Sequence, residues 1–326
     1  MLLVTGGAGF IGSNVVADLN EAGRADIVVN DLLGSEGKWR NLASRQIADF
    51  VPPADLARWL EGRKLDAVIH LGAISSTTAT DGDAIMENNF RLSLRLFDWC
   101  ASNRTPFIYA SSAATYGDGQ QGYSDDWSSD ELKRLKPLNL YGWSKQLFDL
   151  AIVQRVARND KLPPQWAGLK FFNVYGPNEY HKGEMMSLLA KQFDFAKAGK
   201  PIRLFKSHRT GIANGEQKRD FVYVEDATAV VRWLIETPSV SGIFNVGTGA
   251  AHSFRELMTA MFAALGREPA IEYADMPNSI RDSYQYFTQA ETENLRRAGY
   301  NADFTPLDIA VRRYVTNYLD RADRYR

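Results

Sequence analysis

The stretch that decides the fold is Met1-Leu-Leu-Val-Thr-Gly-Gly-Ala-Gly-Phe-Ile-Gly12. A short apolar run leads directly into the pattern Gly7-x-Gly9-x-x-Gly12, and a helix-like segment follows. This order of strand, glycine turn and helix is typical of a dinucleotide-binding unit. We expect Gly7 to permit the tight turn, Gly9 to let the backbone approach a pyrophosphate, and Gly12 to let the helix pack closely on the strand. The N–H groups at the start of the helix favour phosphate.

An acidic residue stands where a nucleotide ribose needs one. Asp31 follows the glycine pattern by about 19 residues and ends a second apolar run, residues 27–31. A carboxylate there typically accepts hydrogen bonds from the adenosine ribose. Asp31 by itself therefore favours NAD, whereas Lys38, Arg40 and Arg45 could instead hold the extra phosphate of NADP.

The composition is that of an ordinary globular protein. The 326 residues are 45% hydrophobic and 24% charged, with a formal net charge of −1. This length predicts one large domain or two closely joined ones, and the small charge disfavours nucleic acid and anionic membranes as partners. No apolar run approaches the roughly 20 residues that cross a bilayer, and no charged segment precedes the first strand, so we expect a cytoplasmic protein. The scattered histidines lack metal-ligand spacing, and we expect no metal.

The first half of the chain alternates apolar runs with helix-like stretches, which predicts a Rossmann-type, doubly wound parallel α/β sheet. We expect this dinucleotide-binding domain to comprise residues 1–175 plus about 220–248. A smaller, discontinuous α/β substrate lobe should comprise about 176–219 plus 249–326. Residues 221–224 and 243–246 are expected to return to the main sheet. The other predicted strands are 2–5, 26–30, 45–48, 67–71, 107–110 and 169–173, and the long predicted helices are 83–102 and 141–159.

A phenol and an ammonium stand four residues apart in Tyr141-Gly-Trp-Ser-Lys145. On a helix the two side chains share one face. Free tyrosine has a pKa of about 10 and is a poor base at neutral pH, but a lysine charge and a positive nicotinamide ring lower that pKa. The pair could then exchange a hydroxyl proton while hydride moves to or from the cofactor. By itself the pattern is common, and a surface pair is the alternative.

The apolar run before this pair ends in two serines, Ser111 and Ser112. They would lie at the carboxyl edge of the sheet, where open α/β folds bind ligands. Ser112 could donate a hydrogen bond to a reacting oxygen and stabilise its developing charge. A turn or helix cap is the alternative, and the presence of Tyr141 favours catalysis.

The glycine pattern, Ser112 and Tyr141-x-x-x-Lys145 together resemble the extended short-chain dehydrogenase/reductase superfamily, whose members act on nucleotide sugars. Further stretches are similar to its subfamily of ADP-heptose 6-epimerases, which make the heptose donor of the lipopolysaccharide inner core. The most discriminating of these are His181-Lys-Gly183 and Phe287-Thr-Gln289. The others are residues 72–78, 110–117, 172–177, 218–224 and 284–289.

The resemblance implies inversion at C6 of ADP-D-glycero-D-manno-heptose through a transient carbonyl, with NADP, or alternatively NAD, kept bound throughout. Tyr141 would serve as one base and Lys182 as the second, although a phosphate contact is the alternative for Lys182. A related 4-epimerase or 4,6-dehydratase is a second hypothesis, and the lack of an acidic residue beside Ser112 argues against dehydration. A non-catalytic NADP-binding regulator is a third, and the presence of Tyr141 and Lys145 argues against it.

The resemblance also implies which residues surround the ligands. Similar enzymes are homo-oligomers, and we expect the same here. The guanidinium of Arg219 suits a diphosphate, and the substrate would contact Ser112, Asn173, Lys182, Phe205, Arg219 and Tyr284. The cofactor would contact Gly7, Gly9, Phe10, Ile11, Gly12, Asp31, Leu32, Lys38, Leu71, Gly72, Ala73, Ile74, Ser75, Asn88, Lys145 and Val174.

Overall fold

A parallel sheet of seven strands forms the centre of the computed structural model, which describes residues 1–281 and 284–326. Its order is β10-β6-β5-β4-β1-β2-β3, so the winding direction reverses between β1 and β4. The predicted doubly wound sheet is confirmed. The strands are β1 (Leu2–Thr5), β2 (Ile27–Asn30), β3 (Asp49–Val51), β4 (Ala67–His70), β5 (Phe107–Ser112), β6 (Trp166–Phe171), β7 (Asn173–Tyr175), β8 (Ile202–Phe205), β9 (Lys218–Tyr223), β10 (Gly242–Val246), β11 (Ala251–Ser253) and β12 (Ile271–Ala274).

Helices cover both faces of the sheet, and this explains why its central strands are apolar on both sides. Phe97 and Phe148 pack with Phe107 on one face, whereas Val15 and Val230 belong to the core on the other. The helices are α1 (Phe10–Glu21), α2 (Leu56–Leu60), α3 (Gly82–Ile85), α4 (Leu92–Asn103), α5 (Ser129–Arg134), α6 (Leu140–Ala157), α7 (Leu188–Lys197), α8 (Val224–Glu236), α9 (Phe254–Ala264), α10 (Asn278–Arg281), α11 (Glu293–Arg297) and α12 (Leu307–Tyr314).

Both long predicted helices are present. A π-helical segment, Met86–Arg91, joins α3 to α4 and completes the helix predicted over residues 83–102. Asn139 caps α6, because its side chain accepts the Gly142 N–H at 2.8 Å. Among residues 1–281 and 284–326, no helix is both long and apolar enough to span a bilayer.

The strand predicted at residues 45–48 is wrong, since the third strand of the sheet begins at Asp49. The side chain of Asn20 provides the reason. Its carboxamide accepts the Gln46 backbone N–H at 2.7 Å and donates to the Gln46 carbonyl at 2.9 Å. A side chain therefore takes the backbone groups that a strand would give to its neighbour.

The return of residues 221–224 to the main sheet is also wrong. β9 pairs in parallel with β7 and antiparallel with β11, in a separate sheet of three strands. The place beside β6 is filled by β10, which confirms the prediction for residues 243–246.

The remaining elements pack beside the carboxyl edge of the main sheet. β8 and β12 form a parallel pair, and side chains from distant parts of the chain share one core there. Leu189, Phe193, Met261 and Tyr314 are all buried in it. It stays a prediction that this region forms a separate lobe with the boundaries given above.

The glycine turn after β1 depends on backbone conformations and close contacts that only glycine allows. Gly6 has a left-handed backbone with φ of +67°, and a Cβ atom on Gly7 would lie 2.9 Å from the Val4 carbonyl oxygen. The tight turn therefore uses Gly6 as well as the predicted Gly7. A Cβ atom on Gly12 would lie 2.1 Å from the Gly6 carbonyl oxygen. No side chain therefore fits at position 12 while the turn keeps its shape.

We expect Gly12→Ala to lower the free energy of unfolding by about 2 kcal/mol, as overpacking does, and to weaken nicotinamide binding. Chemical denaturation and isothermal titration calorimetry measure the two effects. Gly23→Ala is the matched control, because a Cβ there meets no neighbour within 4 Å and only the positive φ is strained. Unchanged cofactor binding in Gly12→Ala would contradict the packing role.

Candidate active site

A cleft of about 640 Å³ opens at the carboxyl edge of the main sheet, where the strand order reverses. Open α/β sheets bind ligands at this switch point. Its walls bring together the glycine turn, the ends of β4 and β5, the start of α6, and a 3-10 turn, Tyr180–Met185. The predicted site residues that line it are Gly9, Phe10, Ile11, Gly12, Asp31, Leu32, Lys38, Leu71, Gly72, Ala73, Ser75, Ser112, Tyr141, Lys145, Val174 and Lys182.

Three predicted cofactor residues, Gly7, Ile74 and Asn88, lie outside this lining. Asn89, rather than Asn88, organises the loop after β4. Its buried carboxamide accepts the Ile74 N–H at 2.8 Å, and donates to the Ile74 carbonyl and to the Ser144 hydroxyl, both at 3.0 Å. Both asparagines lie in the π-helical segment, whose wider turn changes which residue faces the sheet.

The backbone at the glycine turn fits a pyrophosphate. α1 begins after Gly9 without a side-chain cap, which leaves its first N–H groups available to an anion. Gly6, Gly9 and Gly12 form this wall of the cleft, and their missing side chains let a ligand approach the backbone.

The ribose end of the cleft contains a buried carboxylate paired with a cation. Asp31 accepts the N–H groups of Ala8 at 2.9 Å and Leu32 at 2.7 Å. The Lys38 ammonium donates to Asp31 at 2.6 Å and to the Leu32 carbonyl at 2.9 Å. An ammonium has three N–H groups and a carboxylate about four acceptor sites, so both groups keep capacity for a ribose or a phosphate. Glu36 also lines this end.

Tyr141 and Lys145 both line the cleft, four residues apart on α6. Burial raises the pKa of Tyr141, and a polar contact with the Ser112 hydroxyl lowers it by less. In the chain alone the pKa of Tyr141 is therefore raised rather than lowered. Lys145 is 3% exposed, and burial lowers its pKa to about 8 although the charge of Asp149 opposes this.

Ser112 forms the cap considered from the sequence, and its catalytic role stays a prediction. Its hydroxyl accepts the Ala114 N–H at 3.1 Å and so caps the short turn after β5. The same residue lines the cleft and contacts Tyr141.

The turn that carries His181 and Lys182 lies across the glycine turn. The Lys182 ammonium is 4.9 Å from the centre of the Phe10 ring, and burial lowers its pKa. His181 Nδ1 lies 3.2 Å from the Asn41 carboxamide nitrogen, and burial, with the charge of Lys38, lowers the His181 pKa to about 4. Glu184 points to solvent and pairs with Lys191 at 3.0 Å, away from the cleft.

Three predicted substrate residues form a second cluster. The Arg219 guanidinium lies 5.1 Å from the centre of the Tyr284 ring, and the rings of Tyr284 and Phe205 are 6.4 Å apart. Arg219 is buried, and burial lowers its pKa. Asn173 is exposed and its carboxamide oxygen accepts the Thr288 hydroxyl at 3.4 Å. None of these four belongs to the cleft lining as described.

Sequence reasoning missed several cleft residues. His181 belonged to a discriminating stretch but received no role, and Gly6 was overlooked beside the more familiar glycine pattern. The other missed lining residues lie in loops or at strand ends, where no periodic pattern marks them. They are Leu33, Gly34, Glu36, Ser76, Ala110, Phe171, Phe172 and Met185.

A dinucleotide fold with serine, tyrosine and lysine in its switch-point cleft is the arrangement that the resemblance to extended short-chain dehydrogenases/reductases predicts. The model of the NAD dependent epimerase/dehydratase family matches residues 2–247, and the chain belongs to this family.

Curated relatives match over the full length. An ADP-L-glycero-D-manno-heptose-6-epimerase of Nitratidesulfovibrio vulgaris (strain DP4) is 50% identical, covering 100% of both chains. One of the same name from Fusobacterium nucleatum is 44% identical, with the same coverage. The resemblance to ADP-heptose 6-epimerases is confirmed.

Solved structures of nucleotide-sugar epimerases have a similar fold. The crystal structure of the Helicobacter pylori ADP-L-glycero-D-manno-heptose-6-epimerase has a TM-score of 0.81 at 29% identity, covering 97% of this chain and 95% of that one. A Thermus thermophilus UDP-glucose 4-epimerase in complex with NAD has a TM-score of 0.76 at 25% identity, covering 96% and 97%.

Proposed function

We propose that this protein inverts C6 of ADP-D-glycero-D-manno-heptose to give ADP-L-glycero-D-manno-heptose, the donor for the lipopolysaccharide inner core. The observation that carries the proposal is the presence of two ionisable side chains, Tyr141 and Lys182, in one cleft with the glycine turn. Full-length relatives with this activity in their names support the choice of sugar. A cytoplasmic location and homo-oligomeric assembly complete the proposal, as the resemblance implies.

Epimerisation through oxidation needs a hydride to leave one face of C6 and return to the other, while the hydroxyl oxygen loses a proton and regains one. A nicotinamide cofactor, held by the glycine turn, Asp31 and Lys145, would supply the chemistry of hydride acceptance and return at C6. Tyr141 removes the C6 hydroxyl proton, and the Ser112 hydroxyl donates a hydrogen bond to the oxygen as its charge changes. The Lys145 ammonium stabilises the Tyr141 phenolate.

The carbonyl at C6 then turns to present its other face, and Lys182 donates a proton to the oxygen as the C–H bond reforms. Burial makes this ammonium a better proton donor, because it lowers the Lys182 pKa. The carbon is oxidised once and reduced once, so no external oxidant or reductant is consumed. Tyr141 then releases its proton to water and Lys182 takes one up, which restores both groups.

We propose NADP as the cofactor. Lys38 places an ammonium beside the ribose carboxylate of Asp31, where it could pair with a 2′-phosphate. NAD is the alternative, since Asp31 and Glu36 are both acidic.

Tyr141→Phe is expected to lower the epimerisation rate by about 10²-fold or more, as the loss of a general base does, with little change in nicotinamide binding. The assay follows C6 configuration of ADP-D-glycero-D-manno-heptose by NMR. Tyr318→Phe, which removes a hydroxyl that bonds Glu225 at 3.3 Å, is the matched control and should keep full activity. A Tyr141→Phe enzyme with the wild-type rate would contradict the mechanism. A wild type that interconverts only UDP- or GDP-hexoses would favour a 4-epimerase instead.

Lys38→Met is expected to weaken NADP binding about tenfold or more while changing NAD binding little, because a charge-assisted hydrogen bond contributes about 1.5–3 kcal/mol. Titration calorimetry with both dinucleotides measures this. Lys64→Met, in which the side chain lost is exposed and lies outside the cleft lining, controls for the general loss of positive charge. Equal weakening of both dinucleotides by Lys38→Met would contradict the assignment of NADP.

A further inference from the structure

A buried carboxylate lies directly behind the predicted proton-transfer pair. Asp149 is on α6, one turn beyond Lys145 and two beyond Tyr141, so the three side chains share one face of the helix. Asp149 is 0% exposed. It accepts the Tyr109 hydroxyl at 3.0 Å and the Ser111 hydroxyl at 2.7 Å. A carboxylate so far from water requires both hydrogen bonds and a countercharge.

Lys170 on β6 provides that countercharge. Its ammonium is 3.3 Å from the Asp149 carboxylate, and the residue is 1% exposed. The same ammonium lies 4.7 Å from the centre of the Tyr116 ring. The strand prediction at residues 169–173 treats this position as part of an apolar run, so nothing in the periodicity indicates an ion pair.

The Asp149–Lys170 pair is also connected to Ser112. The Lys170 ammonium donates to the Thr115 hydroxyl at 2.8 Å, and that hydroxyl donates to the Ser112 carbonyl at 2.8 Å. Asp149 meanwhile holds the neighbouring Ser111. A continuous polar network therefore joins the end of β5, which carries Ser112, to the helix that carries Tyr141 and Lys145.

We propose that Asp149 and Lys170 are positioning residues that fix Ser112 relative to Tyr141 and set the electrostatic balance of the Tyr141–Lys145 pair. This rests on the proposed function for the roles of that pair, but the charge balance itself is a property of the folded chain. Burial in a low dielectric makes a charge one helical turn away effective.

The sign of each charge effect follows from the neighbours. The Asp149 charge raises the pKa values of both Lys145 and Tyr141. Lys170 has the opposite charge, so its loss should leave Asp149 unopposed and raise both values. The titratable and charged groups that face the network are Tyr141 and Lys145 on α6, His70 on β4, Tyr109 on β5, Tyr116 in the turn after β5, Lys170 on β6, and Asp125 from the following loop.

The test compares Asp149→Asn with Lys170→Met in the full-length protein. Asp149→Asn should move the pH–rate profile about one unit towards acid, and Lys170→Met about one unit towards alkali, since each removes one buried charge near the same pair. The pH–rate profile of the double variant should lie between the profiles of the two single variants. Asp98→Asn is the matched control. It removes a surface carboxylate of α4 that pairs with Arg155, which lies on α6 like Asp149, and it should leave the pH–rate profile unchanged.

A second readout does not depend on turnover. Tyrosine labelled with ¹³C at Cζ reports the Tyr141 pKa by NMR, with the resonance assigned by its loss in Tyr141→Phe. We expect the Tyr141 pKa measured in this way to fall in Asp149→Asn and to rise in Lys170→Met. These two shifts would persist even if the substrate proposed above were wrong.

Two results would overturn the inference. One is that both single variants lose rate and stability without opposite displacements, which is the behaviour of a structural ion pair alone. The other is a Tyr141 resonance that titrates identically in wild type and in both variants. Circular dichroism and thermal unfolding establish that each variant is folded before either comparison is made.

Discussion

Burial of ionisable side chains at the carboxyl edge of a parallel sheet is the constraint on which the rest of this structure depends. Lys145 is almost fully enclosed, and burial brings its pKa to about 8, within reach of the pH at which the enzyme would operate. The same enclosure raises the pKa of Tyr141. The tyrosine is therefore a poor base until another positive charge arrives, which would couple its basicity to the presence of the cofactor.

The fold supplies this enclosure through its topology. Reversal of the strand order between β1 and β4 leaves a crevice, and the glycine turn lets a dinucleotide enter along backbone rather than side chains. The turn that carries His181 and Lys182 covers the crevice from the opposite side. Chemistry at this site would thus occur between a rigid sheet edge and a turn anchored to Phe10 and Asn41.

Much of this could be predicted from the sequence, for physical reasons. Strands buried on both faces leave continuous apolar runs, and the Tyr141–Lys145 spacing shows its helical face directly. The failures depend on tertiary contacts. The side chain of Asn20 binds the backbone of Gln46, so the third strand begins later than predicted, and residues 221–224 pair with β7 and β11 in a separate sheet. The Asp149–Lys170 pair joins residues 21 positions apart on different elements, and no local pattern could reveal it.

The central claim is that hydrogen leaves C6 and returns to the same carbon on its other face within one bound complex. It is tested most directly with ADP-D-glycero-D-manno-heptose carrying deuterium at C6, converted in ordinary water and analysed by mass spectrometry and NMR. The account predicts that the inverted product keeps its deuterium. Washout of the label to solvent at the rate of epimerisation would contradict it, because C6 would then have lost a proton rather than a hydride.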